Sequence, residues 1–78
     1  MTPALPVRIP LLSNGDAYYI DVTESSRFNE LVITAIDCFP NNLNVRPYRV
    51  SFMDLDQQTR RAVIEQVNRR FEGRMVKV

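Results

Sequence analysis

The sequence predicts an α+β fold: a single two-layer domain with elements in the order β-β-α-β-α-β, forming a mixed four-stranded sheet with two helices on one face. Three observations predict it. Alternating apolar residues flank an Asn-Gly pair at positions 14–15, the apolar period lengthens to about 3.6 from Phe28 and again from Asp54, and a short alternating stretch follows each longer-period segment.

The first two elements rest on Asn14-Gly15, the strongest short signal for a hairpin turn in which both central residues have positive φ. Residues 6–13 and 16–22 then form an antiparallel pair. Val7, Ile9 and Leu11 share the core face with Tyr18, Ile20 and Val22, leaving Arg8, Pro10, Leu12, Tyr19 and Asp21 on the other. Pro10 lacks a ladder donor, which suits an edge strand.

Phe28, Leu31, Val32, Ala35, Ile36 and Phe39 fall on one side of a helix over 26–39, with Glu30, Thr34 and Asp37 opposite. Thr23, Ser25 and Ser26 offer caps, and Pro40 ends the element. After an Asn- and Pro-rich loop over 40–47, Tyr48, Val50 and Phe52 alternate with Arg49, Ser51 and Met53 as a third strand. Asp54 lies three residues before Gln57, a capping-box variant that opens a second helix over 55–72. Val63, Ile64, Val67 and Phe71 form its apolar stripe, Arg61, Glu65 and Arg69 its solvent-side i,i+4 pairs, and Gly73 its C′ residue. Arg74–Val78 reads as a terminal strand with Val76 and Val78 inward.

The hairpin Val7–Val22 followed by a crossing helix over Arg27–Phe39 resembles the opening of the β-grasp (ubiquitin-like) fold. The likeness is topological, and the long helix over Asp54–Glu72 departs from that fold, so no ubiquitin-like function is carried over. Glu30-Leu31 and Phe39-Pro40-Asn41-Asn42, with the strand and helix after them, are similar to the DinI family of small RecA regulators. The chain departs from that family in having no room for a second strand before its last helix and in the basic character of that helix.

Composition narrows the chemistry. Seventy-eight residues suit one hydrophobic core over 1–78, with residues 1–5 as a flexible tail. Cys38 is the only cysteine and there is no histidine, so the common zinc and haem sites lack ligands and no internal disulfide is expected. No long apolar run or signal segment opens the chain, so a cytoplasmic protein without membrane contact is expected. Ser25-Ser26 has no neighbouring base, and Cys38 reads as a small buried hydrophobe. Glu30 and Asp37 lie about two helical turns apart, too far to share a small cation. Asp54 and Asp56 are explained by a helix start. The expectation is a non-enzymatic protein with no cofactor.

Charge is the remaining signal. Residues 1–39 carry two cations against five anions and residues 40–78 eight cations against four anions, within an overall charge of +1; nine of the ten cations are arginine. On the open sheet face Arg8, Tyr19, Arg49 and Met53 would combine Arg, Tyr and Met, the residue types enriched at protein interfaces. Arg60, Arg61, Arg69 and Arg70 form basic clusters on the second helix. The expected function is a non-catalytic interaction module, a small adaptor, regulator or inhibitor of the kind carried by phages and mobile elements, with a protein partner or self-association. The alternative is a small nucleic-acid-binding domain using the same surfaces.

Overall fold

In the computed structural model Asn14 and Gly15 both have positive φ, 53° and 83°, as the hairpin turn requires. The turn joins β1 (Val7–Ser13) to β2 (Asp16–Glu24) in an antiparallel register running from Val7↔Val22 to Ser13↔Asp16. The structure describes residues 5–26, 30–72, 74 and 76–77. The expected tail therefore falls almost wholly outside the described residues, as do Phe28, the C′ glycine Gly73, Met75 and Val78.

Leu31–Phe39 is a third strand, β3, and not the first of two helices; this overturns the β-β-α-β-α-β order. β3 pairs antiparallel with β2, and its register slips between Asp21↔Ala35 and Val22↔Ile33, leaving Thr34 as an extra residue. The slip explains the helical appearance of the sequence. On either side of Thr34 the inward phase changes parity, so Leu31 and Ile33 face the core before it and Ile36 and Cys38 after it. A strand with a mid-length phase change spreads its apolar residues at spacings of two, three and five, which a 3.6 period also fits. Val32, Ile33, Thr34 and Ile36 are β-branched, the residue type that loses most χ1 freedom in a helix. Ile33, which has no place on the apolar side of the expected helix, packs against the core.

β4 (Tyr48–Val50) pairs antiparallel with β3 over Ile36–Cys38. The expected strand over 48–53 stops there, because Phe52–Asp54 forms a 3₁₀ turn. The helix α1 (Gln57–Arg70) follows, with Asp56 and not Asp54 at its N-cap position. β5 (Val76–Lys77) then pairs parallel with Leu31 and Val32 of β3. The sheet is thus a four-stranded antiparallel meander, β1-β2-β3-β4, with β5 and β4 end to end along one edge of β3. Among the described residues one α-helix, not two, covers it.

The core lies between α1 and the inner face of the sheet. Val63 and Val67 from the helix, with Phe71 just after it and Leu55 before it, meet Ile9, Leu11, Ile20, Val22, Leu31 and Ile36. Ile64, expected in the same buried stripe, is only half-buried. Where the hairpin end reaches the start of α1, the buried Ser13 and Thr59 hydroxyls hydrogen-bond at 2.7 Å. No helix among the described residues is long and apolar enough to cross a membrane.

Candidate functional site

Two surfaces collect the side chains that composition singled out. The first is the outer face of the sheet, which no described element covers. Antiparallel pairing sets its residues in rows: Leu12, Ala17 and Phe39 in one; Pro10, Tyr19, Asp37 and Arg49 in the next; then Arg8, Asp21 and Ala35.

Contacts within the last two rows, joined by one diagonal contact between them, bind all four strands of the meander. Arg8 on β1 donates Nε to Asp21 Oδ1 at 2.9 Å and Nη2 to Asp21 Oδ2 at 3.3 Å and Asp37 Oδ2 at 2.6 Å. Arg49 on β4 donates Nε to the other Asp37 oxygen at 3.0 Å. The Arg49 guanidinium, followed by that of Arg8, holds the Asp37 carboxyl below its ordinary range. Asp21 and Asp37 in turn raise Arg8 and Asp37 raises Arg49. Exposed ion pairs of this kind contribute little to stability, because solvent screens them. Their larger effect here is on charge, since two guanidinium groups and two carboxylates sum to zero.

Tyr19 lies inside this network. Its ring centroid is 5.5 Å from the Arg8 guanidinium carbon, and Phe39 meets it edge-on at 5.1 Å with an interplanar angle of 83°. Tyr19 is half-buried, whereas Leu12 at the end of the next row is 78% exposed. Arg8, Tyr19 and Arg49 therefore do come together. Met53 does not join them: it is 66% exposed beside β4, where it lines a notch along the β3 edge with Ile33, Ala35, Val50 and Phe52.

The second surface is a groove of about 790 Å³ along α1, between the helix and Phe52. Arg60, Ile64 and Asn68, successive i,i+4 positions, line it with Arg61 and Arg69. Of the expected chain of pairs only Arg69–Glu65 forms, at 2.8 Å. Arg60, Arg61 and Arg70 make no side-chain hydrogen bond or ion pair among the described residues. Arg70 lies outside the groove.

Several relevant residues were not legible as site residues. Asp21 and Asp37 read as ordinary solvated carboxylates, because nothing local in the sequence shows that a meander places both between Arg8 and Arg49. Leu43 is fully exposed (106%) in a loop braced by hydrogen bonds from Asn41 N to Asp16 Oδ1 and from Asn44 N to Asn42 Oδ1, both 2.9 Å. On the inner face Tyr18 is pushed up to about 12 by burial first and then by Cys38, and Tyr48 is raised chiefly by the neighbouring Cys38 thiol. Cys38 itself is fully buried. Among the described residues no cluster of three or more acidic or thiol groups is placed to hold a metal ion. Comparisons with protein-family models, curated proteins and solved structures find no match for this chain.

Proposed function

We propose that this domain is a non-catalytic protein-binding module that engages its partner, or a second copy of itself, through the open face of the sheet. The observation that supports this reading is the engagement of Arg8 and Arg49 by Asp21 and Asp37. A phosphate backbone is bound by cations that can exchange counterions for phosphate. On this face Arg8 and Arg49 already have carboxylate partners, so a nucleic acid would have to displace Asp21 and Asp37 to reach them. What the face offers instead is an aromatic pair, Tyr19 and Phe39, beside the exposed Leu12, with arginines held in fixed positions around them. Aromatic anchors flanked by arginine are the usual strong points of a protein interface. A reducing, cytoplasmic setting suits the lone buried thiol of Cys38.

The test is to capture partners on the wild-type domain and on Tyr19→Ala from lysates of the native host, with and without nuclease, and to follow self-association by sedimentation. The reading requires a complex, or a self-associated form, that survives nuclease and weakens in Tyr19→Ala. A complex lost on nuclease treatment, or a domain that shifts single-stranded oligonucleotides at physiological salt, overturns it.

A further inference from the structure

Arg60 and Arg61 stand at the wrong end of their helix. The N-terminus of a helix carries the positive end of its dipole, which favours acidic residues and disfavours cations. The first turn of α1 nevertheless contains no acidic residue; Arg60 ends that turn and Arg61 follows it. Asp56, at the N-cap, forms no ion pair with either of them; its carboxylate accepts from the Asn14 amide at 3.3 and 3.4 Å. The basic residues at the other end need no special account. Arg69 and Arg70 sit in the last turn, where the dipole favours them, and Arg69 pairs with Glu65. Neither helix stability nor an internal partner therefore explains Arg60 and Arg61.

Both residues line the groove whose apolar part is Phe52 and Ile64, each half-buried. Along the groove the charge is graded. The N-terminal end has two unpaired guanidinium groups beside a helix N-terminus, the middle has the neutral pair Arg69–Glu65, and the far end has Glu72. We propose that this groove binds an acidic amphipathic segment of a partner protein, with a bulky apolar side chain against Phe52 and Ile64 and carboxylates at the Arg60–Arg61 end. Carboxylates there meet two planar donors and the dipole at once, and the gradient fixes the direction in which the segment lies. This surface is distinct from the sheet face, so the proposal goes beyond the reading above and does not depend on Tyr19.

The test uses three synthetic peptides of equal length: one with a leucine and a phenylalanine among glutamates, its counterpart with lysine for every glutamate, and poly-glutamate. A single-stranded oligonucleotide is the fourth probe. Titrations of the labelled full chain are followed by NMR. The expected result is saturable shifts at Phe52, Ile64 and Asn68 with the acidic amphipathic peptide, and binding weaker by about tenfold or more for the other two peptides. Arg60→Glu with Arg61→Glu should remove binding by a similar factor while the melting temperature does not fall, because acidic residues suit that turn. Ile64→Ala should weaken binding without changing its salt dependence, whereas Tyr19→Ala should leave it unchanged.

Equal binding of poly-glutamate would overturn the proposal, since the apolar part of the groove would then play no role. So would tighter binding of the oligonucleotide at the same residues, or shifts confined to the sheet face. A fall in melting temperature on the double charge reversal would assign the two arginines to the fold.

Discussion

Asn14, the first residue of the hairpin turn, donates its side-chain amide to the carboxylate of Asp56, the N-cap residue of α1. The same amide reaches the Thr59 hydroxyl at 3.4 Å, and Thr59 in turn bonds the buried Ser13. One turn thus fixes the start of the helix against the end of the first strand. Thr59→Val should cost about 1–3 kcal/mol, because it strands the Ser13 hydroxyl without a partner. Adding Ser13→Ala to it should cost less than the sum of the two single changes. Urea unfolding of the four proteins measures this, and strict additivity would show that the hydroxyls do not act as a pair.

The turn itself offers a cleaner substitution. Nothing lies within 4 Å of a Cβ placed on Gly15, so any penalty there comes from its φ of +83° and not from crowding. Gly15→Val should cost at least ~1–2 kcal/mol, the penalty for a side chain in left-handed backbone, and Gly15→Asn should cost less. Equal melting temperatures for the valine and asparagine variants would contradict this conformation.

Phe71 is the largest fully buried side chain among the described residues and closes the core at the end of α1. Phe71→Ala should destabilise by roughly 3–5 kcal/mol. An unmoved unfolding midpoint would mean that α1 presents a different face to the sheet.

Acid should loosen both the sheet face and the turn. Asp37 is held below its ordinary range by Arg49 and Arg8, and Asp56 by the Thr59 hydroxyl and Asn14. A carboxyl whose folded pKa is lower than its unfolded one contributes fully above the unfolded value, about 4, and loses that contribution as pH falls through the folded value. Stability should therefore decline from about pH 4 downward. Asp37→Asn should be less stable than wild type at neutral pH and show a shallower acid loss, read from urea midpoints across the series. Parallel curves for the two proteins would remove Asp37 from the explanation.

Tyr19→Ala separates folding from binding. The residue is half-buried and its ring contacts are worth about 0.5–1.5 kcal/mol beyond area, so the domain should remain folded. Loss of a partner contact at a hot spot should instead reach about 2 kcal/mol or more. Raising salt moderately should lower the on-rate of the wild-type complex more than it raises the off-rate. A salt slope characteristic of phosphate release would contradict the protein-binding reading.

How far the sequence could be read follows from how local each signal is. Asn14-Gly15 sets its own backbone, and the strands beside it alternate without interruption, so the hairpin, its register and its inward residues were all legible. The buried faces of Val63, Val67 and Phe71 were legible for the same reason, since a single helix keeps one period. β3 was not, because Thr34 breaks the alternation that identifies a strand, and its hydroxyl bonding to the Asp21 carbonyl at 3.3 Å is visible only once β2 is alongside. With β3 taken for a helix, Asp37 could not be placed next to Arg8 and Arg49. Ile64 was misplaced for a smaller reason: the stripe on α1 is narrower than the run of apolar residues suggests, and Phe52 beside it leaves a groove open.

The division of one β3 edge between β4 and β5 has a consequence for the order of assembly. Each pairing in the meander joins segments close together in sequence, and the corresponding loops are cheap to close. The pairing of Leu31 with Val76 closes a loop of more than half the chain. The meander can form while the C-terminal part is still loose, and the final two-residue strand can dock only after α1 has brought the chain back across the sheet. A chain growing from its N-terminus would thus display β3 with part of its edge open until Val76 and Lys77 have been made and α1 has docked, and that short strand acts as the latch.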